Sequence, residues 1–374
     1  MPEKGFSVPD TMKAWVLGDP GQLHLTEKPV PRPGPAEVLV RVDATAICAT
    51  DLDVIGHGPP AIVQGGLPFN KNFTPGHEYM GTIVALGATV DEFAVGERVA
   101  VEIHAGCGRC ERCRQGMYTS CLNYGLNYGE HDKGHRANGF TTDGGFAQYA
   151  VNHVNTLVRV PDGVSDELAT LIVTAGTAMY GLDVLGGLVA GDALAVTGAG
   201  PIGLMAVAVA KALGASPVVL TDIVDERLAA GVRVGADVLV NASREPAVEA
   251  VRRATRGGRG VNLVFECSGA ANAVNDAIRM VTRGGRVCLA AFSQQPVLVD
   301  VGYIVTNNIY LYGIRGEGQS AVRRAASLLA QKKIDPSPLH THTFPLEELP
   351  TALRYSREKV DGAIKVVIKP QSLP

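Results

Sequence analysis

Length, composition and charge exclude several classes of protein before any motif is considered. The chain has 374 residues, which is too long for one typical hydrophobic core, so two domains are expected. Charged residues make up 19% of the chain and the net charge is −3, so no strong field attracts nucleic acid or an anionic membrane. The expected partner is a small-molecule metabolite.

The N-terminus and the cysteines predict a cytoplasmic protein. The first ten residues, MPEKGFSVPD, contain no apolar run that ends in a small-residue cleavage site, which argues against a signal peptide. The long uncharged stretch 193–210 has three glycines and a proline near its start, so a strand, a turn and a buried helix explain it better than a membrane span. Five of the seven cysteines have spacings that need no disulfide, and we interpret Cys267 and Cys288 as buried, inert thiols.

Short runs typical of β-strands dominate the first 160 residues or so. They include EVLVRVDA (37–44), GTIVALG (81–87) and GERVAVEIH (96–104), separated by glycine and proline. This texture predicts an irregular, mainly antiparallel β domain.

Two segments of this β domain supply candidate ligands for a catalytic metal. AICATD (46–51) contains Cys48, and PGHEYMGTIVALGATV (75–90) contains His77 and Glu78. One thiolate, one imidazole and one carboxylate suit zinc with an open coordination position. Asp51 is a candidate to orient a ligand, and Thr50 places a hydroxyl where it can receive a proton. The alternative is a core cysteine and a hydrogen-bonded turn histidine without a metal.

Four cysteines lie in the segment GCGRCERCRQGMYTSC (106–121). Their spacing allows four thiolates to close a tetrahedron around zinc and leaves no position for a substrate, which is typical of a structural site. The alternatives are an iron–sulfur cluster, a nucleic-acid-binding zinc ribbon and a thiol redox switch that releases zinc. The segment therefore predicts a structural zinc site at Cys107, Cys110, Cys113 and Cys121.

From about residue 166 the chain alternates apolar strands with alanine-rich helices, a pattern that predicts βαβ units and a parallel sheet. Within it, GAGPIG (198–203) follows the strand ALAVT and precedes the helix LMAVAVAKAL. This context predicts a dinucleotide-binding turn in which the helix N-terminus faces the phosphates. The residues assigned to this turn are Gly198, Gly200, Pro201, Ile202 and Gly203.

The next strand ends in Asp222, where an acid hydrogen-bonds the adenosine ribose hydroxyls. A carboxylate there repels the additional phosphate of NADP, so the sequence predicts NAD. Arg227 is a candidate to stack on the adenine, with an exposed helix arginine as the alternative.

Together these motifs resemble the zinc-dependent medium-chain alcohol and polyol dehydrogenases. GHEYMGTIVALGATV fits the family pattern G-H-E-x-x-G-x5-G-x-x-V, CATD resembles C-x-[ST]-D, and GAGPIG resembles the dinucleotide loop. The resemblance implies an α/β protein with a GroES-like, mainly antiparallel β catalytic domain and a doubly wound, parallel-sheet Rossmann domain. The domains are expected at 1–165 with 309–374 and at 166–308, and the structural-zinc lobe at about 104–125.

The same resemblance implies the chemistry. In this family zinc lowers the pKa of the alcohol, and a hydride then passes to the nicotinamide. By carry-over, Cys48 and His77 hold this zinc and Thr50 begins the proton relay. The resemblance also implies NAD and two zinc ions per chain as cofactors. The assembly that it implies is a homodimer or a homotetramer.

Two positions depart from the family pattern. Simple alcohol dehydrogenases take a second thiolate from the segment that aligns with IVTAGTAMYGL (172–182), where this chain has Thr174, a poor zinc ligand. In the polyol branch, represented by sorbitol dehydrogenase, the glutamate of the G-H-E motif ligates zinc, which favours Glu78 as the third ligand. Asp53 stands where many members have a relay histidine, and His57 lies four residues further on, so both remain candidates for the relay.

The sequence predicts an NAD-dependent dehydrogenase that oxidises a secondary alcohol, most simply a polyol such as erythritol or threitol. The C-terminal segments resemble bacterial sugar-alcohol dehydrogenases. Threonine-, butanediol- and simple alcohol-type dehydrogenases are alternatives with the same fold. A zinc-free quinone reductase of that fold is disfavoured, because it leaves Cys48, His77, Glu78 and the four-cysteine segment unexplained. A non-catalytic NAD-binding sensor with a redox-active zinc lobe is the alternative from another class. Arg315 and Glu317 are candidates to approach cofactor or substrate, or else to form a surface ion pair.

Overall fold

The computed structural model describes residues 6–58, 72–123, 137–293 and 295–371. Two stretches considered in the sequence lie outside the described residues. They are the first five residues, which belong to the N-terminal segment that argues against a signal peptide, and residues 124 and 125 at the end of the expected zinc lobe.

The described residues contain fifteen strands. In chain order they are β1 (Thr11–Leu17), β2 (Leu23–Pro29), β3 (Glu37–Ala46), β4 (Glu78–Leu86), β5 (Arg98–Val101), β6 (Tyr149–His153), β7 (Leu157–Arg159), β8 (Leu194–Thr197), β9 (Val218–Asp222), β10 (Val238–Asn241), β11 (Val261–Glu266), β12 (Val281–Leu289), β13 (Tyr310–Gly313), β14 (His340–Pro345) and β15 (Lys365–Lys369).

Eleven α-helices accompany the strands in the described part of the chain. They are α1 (Ala49–His57), α2 (Glu111–Arg114), α3 (Asp166–Ala169), α4 (Leu171–Asp183), α5 (Pro201–Ala212), α6 (Asp225–Arg233), α7 (Ala247–Arg253), α8 (Ala273–Met280), α9 (Val301–Thr306), α10 (Ala321–Ala330) and α11 (Leu349–Glu358).

The chain folds into two compact units, and both chain ends belong to the first. The first unit comprises Met1–Val173, Gly316–Ala326 and His340–Pro374, and the second comprises Thr174–Arg315 and Ser327–Leu339. The expected end of the nucleotide domain at residue 308 falls before β13. Because β13 pairs in parallel with β12, the second unit continues to Arg315.

The first unit is built around a mainly antiparallel sheet, as the β-type runs predicted. Seven strands are paired in the order β14-β15-β3-β4-β5-β7, with β6 also on β3, and β1 and β2 form a separate hairpin. Only β14 and β15 run parallel among the described pairs of this sheet. Alternate residues of β3, Val38, Val40 and Val42, enter one buried cluster with Tyr79 and Ile83. The predicted GroES-like architecture is confirmed.

The second unit is the predicted Rossmann domain. Its six strands are all parallel and follow the order β10-β9-β8-β11-β12-β13. All four residues of the central strand β8 are buried, as expected for a strand covered on both faces by helices. The strand order reverses between β8 and β11, and in such sheets a dinucleotide binds at this point.

One helical run among the described residues, Asp166–Gly186, is long and apolar enough to span a membrane by length and composition. Of its most apolar window, 78% is buried inside the protein, which is typical of a core helix. The uncharged stretch 193–210 consists of β8, a turn and most of α5, as predicted.

Candidate active site and metal centres

The ends of two paired strands bring the predicted catalytic ligands together. Ala46, the last residue of β3, lies opposite Glu78, the first residue of β4. Cys48 follows β3 at the N-cap of α1, and His77 directly precedes β4. The antiparallel register therefore places the cysteine of one motif beside the histidine and glutamate of the other.

The three side chains form a set that fits one zinc ion. One donor atom each from Cys48, His77 and Glu78 lies within 4.8 Å of the others. His77 and Glu78 are buried, with 2% and 5% exposure, and Cys48 is half-buried. Three donors of mixed softness with a fourth position left open are typical of a catalytic site. Their role as zinc ligands remains a prediction.

Asp51 orients two members of this set. Its Oδ1 lies 2.9 Å from Nδ1 of His77, and its Oδ2 accepts a 2.9 Å hydrogen bond from the backbone N–H of Cys48. A hydrogen bond at Nδ1 leaves Nε2 as the nitrogen with a free lone pair for a metal. Burial alone lowers the pKa of His77, but Asp51 and Cys48 raise that pKa well above its ordinary value.

The candidates for a proton relay occupy different environments on α1. The hydroxyl of Thr50 is half-buried and lies 3.8 Å from Sγ of Cys48. Asp53 and His57 have exposed side chains further along the helix. The structure thus places Thr50 beside the predicted ligands, and Asp53 and His57 at the solvent-facing side of the same helix. Thr174, the position of the missing thiolate, is buried in α4.

Sequence reasoning missed Lys365. This residue begins β15, is only 2% exposed, and its Nζ contacts Oε2 of Glu78. Burial lowers its pKa, but the charges of Glu78 and Cys48 raise that pKa above the ordinary lysine value, so the ammonium stays charged. A lysine at the start of the apolar run KVVI was the available signal, but the sequence does not say which face of a strand is covered.

The four cysteines of the predicted structural site also converge. One sulfur from each of Cys107, Cys110, Cys113 and Cys121 lies within 4.8 Å of the others. All seven cysteines lie among the described residues, and each is a free thiol. Backbone N–H groups of Cys110 and Cys113 donate to the preceding cysteine sulfur at 3.4 Å, and Nδ2 of Asn123 donates to Cys107 at 2.8 Å. These donors suit thiolates bound to a metal.

Beside this lobe lies a buried pair of acids, and one of them corrects an expectation. The sequence allows Glu317 a surface ion pair, but Glu317 is fully buried, and its Oε1 accepts a 2.9 Å hydrogen bond from the backbone N–H of Ile103. Glu102 accepts a hydrogen bond from the hydroxyl of Tyr118. Burial, and to a smaller extent repulsion by Glu317, raises the pKa of Glu102 to about 8. Burial raises the pKa of Glu317 to about 7.

These raised pKa values predict a stability that falls as pH rises. Between about pH 5 and 8 the folded protein holds protons that the unfolded chain releases, so the free energy of unfolding decreases with pH, by up to about 1.4 kcal/mol per pH unit for each proton. Glu317→Gln removes one acid and its repulsion of Glu102. Urea unfolding at several pH values should show a shallower decline for this variant, and parallel curves for both proteins would contradict the prediction.

The predicted nucleotide turn has the required local geometry. Gly198 follows β8 with a positive φ of 95°, and Gly200 caps α5, which begins with Pro201. A side chain at Gly203 would collide with the carbonyl oxygen of Gly198, so only glycine lets the helix approach the turn this closely. The half-buried Ile202 completes the turn in the first residues of α5. The turn therefore presents the N-terminus of a twelve-residue helix at the edge of the sheet where the strand order reverses.

Asp222 has a second contact that the motif did not reveal. Its Oδ2 accepts a 2.7 Å hydrogen bond from the backbone N–H of Ala199 in the glycine turn, and its Oδ1 accepts from Ile223 and Val224 at 2.8 and 3.0 Å. The carboxylate therefore positions the turn as well as standing at the expected ribose site. Arg227 is half-buried on α6.

We expect Asp222→Ser, combined with Ile223→Arg, to reverse the cofactor preference. Loss of the carboxylate removes the repulsion of a 2′-phosphate, and the new guanidinium attracts it, so the ratio of kcat/KM for NAD to that for NADP should fall by about 10²-fold or more. Asp222→Asn is the matched control, because it keeps a hydrogen-bond acceptor for the turn. Unchanged kinetics with both cofactors would remove Asp222 from this role.

Comparisons with known families agree with this geometry. Residues 34–162 match the family described as the alcohol dehydrogenase GroES-like domain, and residues 201–331 match the family described as zinc-binding dehydrogenase. Sorbitol dehydrogenase of Bacillus subtilis is 33% identical over 97% of this chain and 99% of its own. L-threonine 3-dehydrogenase of Pyrococcus horikoshii is 36% identical over 86% of this chain and 88% of its own.

Solved structures give the same result. An alcohol dehydrogenase from E. coli in complex with NADH superposes with a TM-score of 0.85 at 28% identity, covering 96% of this chain and all of that one. A zinc-binding dehydrogenase from Sinorhizobium meliloti bound to NADP has a TM-score of 0.84 at 29% identity, covering 97% of this chain and all of that one. The chain therefore belongs to the zinc- and NAD-dependent medium-chain alcohol and polyol dehydrogenase family predicted from its motifs.

Proposed function

We propose that this protein oxidises a secondary hydroxyl of a polyol, such as erythritol or threitol, to a ketone and reduces NAD. The observation that carries the proposal is the donor set of Cys48, His77 and Glu78 within 4.8 Å. A carboxylate as third donor is the feature expected of the polyol branch, whereas simple alcohol dehydrogenases use a second thiolate. The similarity to a sorbitol dehydrogenase over 97% of the chain supports the same substrate class.

A zinc ion held by Cys48, His77 and Glu78 would act as a Lewis acid that lowers the pKa of the substrate hydroxyl. Asp51 keeps the His77 ring in one orientation through the 2.9 Å contact at Nδ1. Thr50, whose hydroxyl lies 3.8 Å from Sγ of Cys48, would receive the proton of the substrate hydroxyl. Because Asp53 and His57 are exposed on α1, either of them can deliver that proton to solvent.

The preference for NAD over NADP is proposed on the basis of Asp222. Its carboxylate ends β9 beside the glycine turn, where it disfavours a 2′-phosphate. The turn supplies the N-terminus of α5 to the pyrophosphate, and Arg227 remains a candidate to stack on the adenine. When bound, NAD would supply the acceptor for the hydride that leaves the carbinol carbon.

The test is NADH formation against a panel of C3 to C6 polyols, L-threonine, 2,3-butanediol and simple primary alcohols. We expect the highest kcat/KM for a four-carbon polyol. A preference for primary alcohols would contradict the polyol assignment. Zinc content measured on the same sample distinguishes the dehydrogenase from an NAD-binding sensor. The dehydrogenase should hold two zinc ions per chain, whereas one zinc ion without turnover would indicate the sensor.

L-Threonine is the second candidate substrate. The observation that favours it is the 36% identity to the L-threonine 3-dehydrogenase of Pyrococcus horikoshii, which is higher than the identity to the sorbitol dehydrogenase but covers less of the chain. Threonine carries an ammonium and a carboxylate beside its secondary hydroxyl. Activity with threonine but none with a polyol lacking these charges would establish this alternative.

We also propose a cytoplasmic homodimer or homotetramer. In the described residues β13 is the edge strand of the parallel sheet, and Tyr310 on it is 56% exposed. Val301 and Val305 on α9 are 63% and 70% exposed, so this edge offers both unpaired backbone groups and apolar surface to a second copy. Light scattering after size exclusion tests the assembly, and a monomer at micromolar concentration would contradict it.

A further inference from the structure

Lys365 is an unusual residue in this fold. Among the described residues it is the only lysine or arginine with a buried side chain, at 2% exposure. Burying an ammonium costs several kcal/mol unless it is paired, and an apolar side chain of similar length fills such a space without that cost. The buried ammonium is therefore expected to act on the groups that it contacts.

The strand register directs Lys365 to the predicted metal site. β15 pairs antiparallel with β3, with Val367 opposite Ala46, and the backbone N–H of Ile47 donates to the carbonyl of Val366 at 2.9 Å. Continued by two residues, this register sets Lys365 opposite Cys48. The lysine is thus held by a strand in the sheet rather than by a loop, which limits its movement.

Its ammonium meets one particular atom of the site. Nζ contacts Oε2 of Glu78, and both side chains are buried, so solvent competes little for this ion pair. The positive charges of the Lys365 ammonium and a divalent metal would together balance the negative charges of Cys48, Glu78 and Asp51. A carboxylate that an ion pair holds through one oxygen cannot rotate freely.

We propose that Lys365 is a positioning residue of the catalytic metal site, which holds Glu78 through Oε2 so that Oε1 is presented to the metal. The inference rests on the proposed function, because it requires a metal at Cys48, His77 and Glu78. It adds a residue of β15 to a site whose predicted ligands all lie next to β3 and β4. Asp51 holds His77 and Lys365 holds Glu78, so two of the three donors have a buried partner of opposite or complementary charge.

Cobalt(II) is the probe, because its visible spectrum reports coordination and does not depend on turnover. The full-length protein is loaded with cobalt at the catalytic site, and zinc affinity is measured by competition with a chelator. We expect Lys365→Met to change the cobalt spectrum and to weaken zinc binding at this site by about 10- to 100-fold. Lys365→Arg, which keeps the charge, should restore the spectrum in large part.

Lys369→Met is the matched control. Lys369 lies on the same strand and pairs with Asp166 and Glu167 at 3.0 and 2.9 Å, so its loss breaks half-buried lysine–carboxylate ion pairs away from the metal ligands. This control should leave both the spectrum and the affinity unchanged. The same spectrum in Lys365→Met as in the wild type would overturn the proposal, and so would tighter zinc binding, because Lys365 would then compete with the metal for Glu78.

A double variant keeps the test decisive where Lys365→Met does not fold. Glu78→Gln combined with Lys365→Met removes both charges and leaves no unpaired ion in the core. If Lys365 acts through Glu78, the double variant binds zinc as well as Glu78→Gln alone. A further loss of affinity would overturn the proposal. Failure of the wild type to bind cobalt at this site is a separate result, which would refute the proposed function itself.

Discussion

Replacing Cys48 with alanine is expected to lower kcat/KM for alcohol oxidation by about 10³-fold or more, while one zinc ion per chain remains. The substitution removes the one thiolate among the three donors that lie within 4.8 Å of one another. Metal polarisation of a substrate oxygen contributes several kcal/mol to a transition state, and each 1.4 kcal/mol corresponds to about tenfold in rate. Steady-state kinetics with elemental analysis of zinc measures both effects.

The control for Cys48→Ala is Cys288→Ala. Cys288 is a buried thiol in the parallel sheet, and it lies in neither of the two donor clusters found among the described residues. Its loss should change the free energy of unfolding by about 1 kcal/mol and leave both zinc ions in place. Full activity and two zinc ions in Cys48→Ala would contradict the assignment of the catalytic metal.

Cys110→Ala should lower stability more than activity, in contrast to Cys48→Ala. We expect loss of the structural zinc and a decrease of several kcal/mol in stability, because metal binding in small zinc domains contributes about 10 kcal/mol or more to their folding. Cys110 is the N-cap of α2, and its sulfur lies 4.0 Å from that of Cys121, so its removal opens the lobe at its centre. Thermal unfolding and limited proteolysis of the lobe measure the effect.

Activity separates this variant from the catalytic one. The fraction of Cys110→Ala that remains folded should retain the catalytic zinc and a measurable rate of NADH formation at low temperature. Arg109→Ala, in the same loop but without a donor to the metal, is the control for loss of an ordinary side chain. A folded Cys110→Ala protein that holds its catalytic zinc but transfers no hydride would show that the lobe has more than a structural role.

Local motifs could be read from the sequence because their residues are neighbours along the chain. The four cysteines lie within fifteen consecutive positions, 107–121, so one short, compact loop is enough to bring their sulfurs together. The glycine turn is likewise fixed by a strand on one side and a helix on the other, and its Asp222 ends the next strand. In such segments backbone geometry follows directly from residue type.

Contacts between distant segments could not be read in this way. Glu317 accepts a hydrogen bond from the backbone N–H of Ile103, which is 214 residues away along the chain. The sequence is equally compatible with a surface ion pair at Glu317. Lys365 reaches Glu78 only because β15 and β4 both flank β3. No pattern within the strand KVVIK states which of its two lysines is buried.

The sequence by itself determined the fold class, the family and the identity of the candidate donors, because these depend on residue types at short spacing. The tertiary structure alone decided which charged residues are buried and which partner each one meets. Asp51 beside His77, Lys365 beside Glu78 and Glu317 in the core all depend on strand register and on how the segments pack. Burial fixes the cost of each charge, so the structure, and not the motif, identifies the residues that support the ligands.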